Sequence, residues 1–105
     1  MYRIIFEHHP KAGQEDEFIK GWKEGSDIIQ TYPGAKGTKL FRDMNNPSIW
    51  YASAEWESKE VRDKVMPEID QRMKEMGIYQ EHEKYVDEVK TLVEMELVDE
   101  SLPQE

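Results

Sequence analysis

The sequence feature that most constrains the fold is a pair of strand-like segments joined by a very short connection. The segments are KGTKLFRD, residues 36–43, and SIWYASAEW, residues 48–56, and the residues between them are MNNP. Asparagine and proline favour tight reversals of the chain, whereas β-branched and aromatic side chains favour strands. The sequence therefore predicts an antiparallel hairpin at this point, and any fold for the chain must contain it.

Further elements are predicted before this hairpin. YRIIFEHHP, residues 2–10, is rich in β-forming side chains and ends at a proline, so it is predicted to be the first strand. A helix is predicted from about Gln14 to Tyr32, where Pro33 and Gly34 would stop it. Its apolar residues recur at spacings of three and four, as on one side of an α-helix. They are Phe18, Trp22, Gly25, Ile29 and Tyr32.

A second helical region is predicted after the hairpin. Ser58 is a suitable N-cap, and Pro67 predicts either a kink or a break with a further helix beginning at the proline. The predicted buried stripe consists of Val61, Val65, Ile69, Met73 and Met76. Gly77 is expected to end this helix, and the spacing of Tyr79, His82 and Val86 predicts one more helical stretch.

The last segment predicts a final strand and completes the fold. VKTLVEMELV, residues 89–98, places Thr91, Val93, Met95 and Leu97 in alternation with polar neighbours. The resulting order, βαββα(α)β, is typical of a ferredoxin-like α+β fold, with a four-stranded antiparallel sheet and helices on one face. Residues 1–98 are expected to form a single domain, followed by an acidic C-terminal tail over residues 99–105.

The other face of such a sheet would lack cover in a single chain. Only 37% of the residues are hydrophobic, which is low for a monomer of 105 residues. The simplest cover is the same sheet of a second copy, packed face to face about a two-fold axis. We therefore expect a homodimer.

Charge and composition exclude several classes of function. A net charge of −9 without a basic stripe disfavours nucleic acids and anionic membrane surfaces as partners. The early apolar run, IIF, is far too short for a signal peptide or a membrane span, so a cytoplasmic protein is expected. The absence of cysteine excludes disulfides, thiolate catalysis and zinc sites built on sulfur.

The strand over residues 49–56 has an unusual face. Alternation puts Trp50, Ala52, Ala54 and Trp56 on one side, so two large rings flank two very small residues. If this face lies under the helices, the alanines leave space for a pocket. Large and small side chains also complement each other in an ordinary filled core, and the residues alone leave both interpretations open.

Two segments resemble the antibiotic biosynthesis monooxygenase family. They are YPGAKGTKLFRD, residues 32–43, and NPSIWYASAEWES, residues 46–58, in which a tryptophan at the end of the third strand is followed by any residue and serine. The resemblance implies a dimeric α+β barrel with a pocket between sheet and helices. Some members there oxidise polyketide-derived phenols or quinols with dioxygen, without a metal, a flavin or any other cofactor. It also implies a small aromatic ligand.

Transfer of the family's site residues gives a partial match. Trp56 corresponds to the pocket tryptophan, whereas Ala52 stands where actinorhodin-type monooxygenases have an asparagine. Haem-degrading relatives use an asparagine on the first strand and a tryptophan in the second helix, and Glu7 and Val65 stand at the best-matching positions here. Haem degradation is therefore ranked below quinol oxidation.

The candidate site combines these residues with one histidine. His82 and Trp56 are the predicted catalytic residues, and an ordinary surface or packing histidine is the other interpretation of His82. The predicted substrate-binding residues are Trp22, Trp50, Tyr79, Arg42 and Met73. No metal site is predicted, because the adjacent His8 and His9 point to opposite faces of a strand. A barrel that binds a small ligand without catalysis is the alternative function.

Overall fold

The computed structural model describes residues 1–104 and contains four strands and three helices. In chain order these are β1 Tyr2–Pro10, α1 Glu15–Ile29, β2 Ala35–Arg42, β3 Trp50–Trp56, α2 Lys59–Glu75, α3 Ile78–Tyr85 and β4 Val86–Glu96. The order confirms the βαββα(α)β pattern and the ferredoxin-like α+β fold. No helix in this range is long and apolar enough to cross a bilayer. The domain over residues 1–98 and the acidic tail over 99–105 stay predictions.

The four strands form one antiparallel sheet in the order β2-β3-β1-β4. The predicted hairpin is confirmed, because β2 and β3 pair from Arg42 opposite Trp50 to Ala35 opposite Trp56. Residues directly opposite each other in an antiparallel pair share a face of the sheet. The face that meets the helices carries, on β1 and β3, Tyr2, Ile4, Phe6, His8, Trp50, Ala52, Ala54 and Trp56.

Buried side chains between this face and the helices form two clusters. The larger contains Trp56, Ile69 and Met73, and the smaller contains Phe18, Trp50 and Val86. Full burial of a side chain such as Ile69 contributes about 1.5–3 kcal/mol to stability. The clusters hold the helices over the sheet at two separate points.

Helix α1 is shorter than the sequence predicts. It ends at Ile29, and Tyr32 lies in the following turn, where its backbone N–H donates to the carbonyl of Ile29. Ile28, which falls outside the predicted stripe, is buried, as are Phe18 and Gly25 of the same helix. Because the chain leaves the helix three residues early, Tyr32 packs against the core from the turn.

Helix α2 runs through Pro67 without interruption, so the predicted alternative of a break is wrong. A proline inside a helix costs about 3 kcal/mol, because it removes one backbone hydrogen bond and clashes with the preceding turn. Ile69 and Met73, both buried after the proline, offset this cost. The predicted N-cap is confirmed, since the Ser58 hydroxyl accepts from the Val61 N–H at 3.1 Å. Met76 is 52% exposed, so its predicted burial is wrong.

Strand β4 departs from the predicted alternation. It begins at Val86, which the sequence placed in a helix, and a β-bulge interrupts its pairing with β1 between Ile5 and Phe6. Val93 lies opposite Ile5 and Thr91 opposite Phe6, so Leu92 is the extra residue. Thr91 therefore shares the face of Phe6, whereas Val93 lies on the outer face, and their predicted placement on one face is wrong.

The turn before β2 requires a glycine at position 34. Gly34 has φ +89°, and a Cβ added there would clash with a Cγ atom of Val61. We expect Gly34→Ala to destabilise the protein by about 2 kcal/mol, from left-handed backbone strain and overpacking together. Chemical denaturation should measure this loss. Gly13→Ala is the matched control, because Gly13 has φ +83° with nothing within 4 Å of an added Cβ.

The contribution of the clash can be isolated by a double mutant. Gly13→Ala should cost about 1 kcal/mol through strain alone. The double mutant Gly34→Ala/Val61→Ala should lose less stability than the sum of the two single losses, because the truncated side chain no longer meets the new Cβ. Equal losses for Gly34→Ala and Gly13→Ala would show that the Val61 side chain moves aside at no cost in stability.

Candidate functional site

A cavity of about 420 Å³ lies between the sheet and the three helices. This volume lies within the range of small-molecule sites, which is about 300–1,000 Å³. Its wall is mostly apolar, and the polar side chains that border it include His8, Arg62, Tyr79, His82 and Glu83. Such a wall suits a small, largely apolar ligand with a few polar groups.

The face of β3 that carries the two tryptophans and two alanines lies beneath the helices. Trp56 is only 2% exposed and forms part of the cavity wall, and Ala52 and Ala54 border the same cavity. The alanines pair with Phe6 and Ile4 on β1, whose side chains also border it. The small side chains therefore coincide with open volume and not with a filled core.

Three of the predicted binding residues border the cavity: Trp22, Met73 and Tyr79. Trp22 comes from α1, Met73 from the last turn of α2, and Tyr79 from the first turn of α3. The Tyr79 hydroxyl donates a hydrogen bond to Asp70 Oδ1. Burial and this hydrogen bond raise the pKa of Tyr79 well above its ordinary value, so the phenol keeps its proton at neutral pH.

Trp50 and Arg42 lie away from the cavity. Trp50 packs edge-on against Phe18, with ring centroids 5.6 Å apart, and its indole N–H donates to the Pro47 carbonyl at 3.1 Å. The Arg42 side chain is exposed, and its guanidinium carbon lies 5.5 Å from the Trp50 ring centroid. The structure thus joins these two residues in a cation–π contact beside the smaller cluster.

One end of the cavity contains two imidazoles. His82 and His8 both border the cavity, and their ring centroids are 5.5 Å apart in an edge-to-face arrangement. Each ring also contacts Phe18, at 5.8 Å for His82 and 5.4 Å for His8. The two histidines come from α3 and β1, which are far apart in the sequence.

Burial lowers the pKa of both histidines. His8 is 6% exposed, and burial, followed by the charges of His82 and His9, lowers its pKa to about 4. Burial also lowers the pKa of His82, against the opposing effect of the Glu83 carboxylate. Both imidazoles are therefore neutral at pH 7, the form in which a histidine accepts a proton.

The remaining histidine belongs to a different surface. His9 points to the opposite face, as predicted, where its Nε2 lies 2.8 Å from Glu7 Oε2. Among residues 1–104, no three histidine, aspartate or glutamate side chains are grouped so that they could hold a metal ion.

A family model described as antibiotic biosynthesis monooxygenase matches residues 1–64. The match covers more than half of the 105 residues. The chain belongs to this family. A search of curated proteins found no match.

Solved structures agree with the fold of the antibiotic biosynthesis monooxygenase family. A candidate antibiotic biosynthesis monooxygenase from Bordetella bronchiseptica has a TM-score of 0.73 and 16% identity, over 92% of this chain and 96% of that one. A variant of SnoaB, a cofactor-independent oxygenase from Streptomyces nogalater, has a TM-score of 0.72 and 11% identity, over 98% and 97% of the two chains. At these identities the likeness supports the fold alone.

Arg62 and His8 border the cavity but were not among the predicted site residues of this family member. Arg62 borders the cavity with a side chain that is 19% exposed, and its nearest ion-pair partner is Asp63 at 3.7 Å. Arg62, Met66, Ile69 and Met73 all border the cavity and are spaced by four, three and four residues. This helical spacing was the signal for Arg62, and the position of His8 beyond Ile4 and Phe6 was the signal for the buried histidine.

Proposed function

We propose that this member of the antibiotic biosynthesis monooxygenase family is a cofactor-independent monooxygenase acting on a small aromatic compound such as a quinol. The observation that carries the proposal is the largely apolar cavity with neutral imidazoles at one end. Triplet dioxygen reacts poorly with a closed-shell molecule unless that molecule first becomes an electron-rich anion. A protein that binds, desolvates and deprotonates its substrate therefore supplies most of what the reaction needs.

The residues of the cavity take separate roles in this reaction. His82 accepts the substrate proton, and Trp56 and Trp22 stack against the aromatic ring. Tyr79 keeps its proton and is available as a hydrogen-bond donor, and Met73 adapts to the shape of the ligand. One oxygen atom of dioxygen enters the substrate as a carbonyl and the other leaves as water, so the substrate provides all four electrons. Trp50 and Arg42 have no role in the proposal, because they do not border the cavity.

Non-catalytic binding of a small ligand is the second candidate function. It is favoured by Ala52, which places a methyl group where actinorhodin-type members have an asparagine, and by the few polar groups in the wall. Haem degradation is supported less, because Glu7 lies on the outer face of the sheet, where Lys90 Nζ is 3.2 Å from its carboxylate. A residue on that face does not reach the cavity.

Oxygen uptake and tryptophan fluorescence, recorded in the same samples, separate these functions. The purified protein is titrated with quinols, naphthols and haemin. Quenching together with oxygen consumption supports the monooxygenase and gives its substrate class. Quenching without consumption favours the binder, and no response to any compound would overturn both.

We propose that two copies pack through the outer face of the sheet. This face lacks helices, and its apolar residues Phe41, Val93 and Met95 are 53%, 38% and 38% exposed in the single chain. A second sheet would remove them from water, and each square ångström of apolar surface buried contributes about 25 cal/mol. The homodimer and the expected cytoplasmic location stay predictions.

The dimer makes a direct prediction for Val93. We expect Val93→Glu to convert a particle of twice the chain mass into a monomer in sedimentation analysis, because each new carboxylate would be buried without a partner. Ile19→Glu is the matched control, since Ile19 is a similarly exposed apolar residue (39%) on α1. A dimer that survives Val93→Glu, or dissociates equally with Ile19→Glu, would contradict this interface.

A further inference from the structure

His8 is a buried polar side chain whose environment within one chain does not account for it. The residue is only 6% exposed, yet Nδ1 has no hydrogen-bond partner among residues 1–104. An unpaired buried polar atom normally costs stability, and native proteins keep few of them. Such an atom at a cavity wall indicates a group that pairs when the cavity is filled.

The backbone of Phe6 favours the protonated form of the His8 ring, but no side chain that faces His8 forms a hydrogen bond with its Nδ1. The contacts of the ring on α1 and α3 are with Phe18 and His82, and Trp50 lies opposite it on β3. The other charged or titratable side chains that border the same cavity are Glu83 and Tyr79 of α3 and Arg62 of α2, and His9 lies on the opposite face. No carboxylate pairs with His8 in this range of the chain.

We propose that His8 and His82 form a two-imidazole site that receives the hydroxyl group of a weakly acidic aromatic ligand and takes up its proton. The O–H bond of the ligand breaks as an N–H bond forms on one imidazole, so a neutral pair becomes an oxyanion beside an imidazolium. No electrons are transferred. The inference rests on the proposed function and deepens it, because it names the ligand group bound at this end of the same cavity.

The arrangement favours a hydroxyl over a carboxylate at this position. Neutral imidazoles attract a permanent anion weakly, and Glu83, the residue after His82, opposes the attraction that Arg62 of α2 exerts from another part of the wall. A neutral phenol enters without repulsion from Glu83 and creates its charge only after it is next to the proton acceptor. Because a second proton on rings 5.5 Å apart is disfavoured, the pair accepts one proton per ligand.

A chromogenic phenol tests this site independently of oxygen chemistry. The probe is 4-nitrophenol, whose phenolate absorbs visible light and whose phenol does not, and 4-nitroanisole is a control of nearly the same shape without an acidic proton. We expect binding to raise the acid dissociation constant of 4-nitrophenol about tenfold. His8→Phe and His82→Phe should each abolish that increase while 4-nitroanisole still binds, and His9→Phe should preserve it.

Each remaining outcome contradicts the two-imidazole site, the proposed function or both. An increase that survives both cavity variants, or is lost only with His82→Phe, contradicts a paired site. Binding of 4-nitroanisole together with an unshifted 4-nitrophenol refutes the proton transfer and leaves the proposed function standing. If neither compound binds, the inference and the proposed function both fail. Proton transfer without oxygen uptake from any quinol would instead refute only the monooxygenase.

Nuclear magnetic resonance of the unmodified protein tests the same site even if the variants fail to fold. The chain has three histidines, so their ring protons can be assigned and titrated individually. Saturation with 4-nitrophenol should raise the pH at which the His8 and His82 resonances shift. The His9 resonance, on the opposite face, should not respond to the ligand, and an equal response of all three rings would refute a specific site.

Discussion

Acidification is expected to remove about 3 kcal/mol of the free energy of unfolding through His8 alone. The pKa of His8 falls from its ordinary value of 6.5 to about 4 in the folded chain, mainly because the ring is buried. Each tenfold change in a proton equilibrium corresponds to about 1.4 kcal/mol, which gives about 3 kcal/mol for this change. This is a large share of the about 5–15 kcal/mol that stabilises an ordinary domain.

The sign of the effect follows from which state binds the proton. Below pH 6.5 the unfolded chain protonates His8, whereas the folded chain does so only near pH 4. Falling pH therefore favours the unfolded state, and the loss is complete just below the folded pKa. His82, whose pKa burial also lowers, adds a loss of the same sign.

Two carboxylates outside the cavity, Glu7 and Glu94, act in a lower range of pH. Hydrogen bonds from His9 and Tyr2 lower the pKa values of Glu7 and Glu94 below 4.5. Their stabilisation is present above that value and is lost as the pH falls through their folded pKa values. A loss between pH 6.5 and about 4 is consequently the signature of the buried histidines.

Urea denaturation at a series of pH values measures this dependence. His8→Phe should flatten the stability curve between pH 6.5 and about 4. His8→Gln, which also removes the titrating ring, is the second variant if the larger phenylalanine does not fit. An unaltered slope in the His8 variants would mean that the ring reaches water or a partner in the free protein.

The sheet could be predicted from sequence because its signals are local. The alternation in residues 49–56 and the MNNP turn both depend on neighbours along the chain, and β3 and its hairpin partner form as they predict. The bulge in β4 had no such signal, since Leu92 is as apolar as Val93. Its position is set by pairing with Ile5 and Phe6, which lie at the other end of the sequence.

The continuity of α2 through Pro67 shows a tertiary effect that overrides a local one. A proline in a helix interior normally predicts a boundary, and only the burial of residues beyond it decides otherwise. The cavity shows the same limit. Trp56 was identified from strand alternation, but the proximity of His8 to His82 depends on how α3 docks against β1.

The sequence pointed to the wrong arginine as a residue of the cavity wall. Arg42 was predicted at the site from its strand, yet it lies over Trp50 outside the cavity. Arg62 borders the cavity because it shares a helical stripe with Ile69 and Met73. In sequence, a charged residue at the start of an apolar stripe is normally assigned to the solvent-exposed side of the helix. The burial of this guanidinium depends on the cavity beside it, which the sequence does not show.

Replacement of Ala52 by tryptophan is expected to weaken binding of aromatic ligands at least about 100-fold, which corresponds to about 2.7 kcal/mol. Ala52 lies on β3 between Phe6 and Leu40, and its methyl group borders the cavity. An indole at this position would point into the volume of about 420 Å³ that a ligand must occupy. Oxygen uptake with any quinol should then fall in proportion to the lost binding.

Stability measurements decide whether the space is open in solution. In an open cavity the new indole gains contacts, so Ala52→Trp should fold with little loss, whereas overpacking a filled core costs about 1–3 kcal/mol. Ala12→Trp, in the exposed turn between β1 and α1, adds the same side chain outside the cavity and should bind 4-nitroanisole as the parent does. If Ala52→Trp bound the ligand equally well, the cavity could not be the ligand site. If it bound no ligand and also unfolded readily, the face of Trp56 would be core, because only a site without free volume rejects both the ligand and the indole.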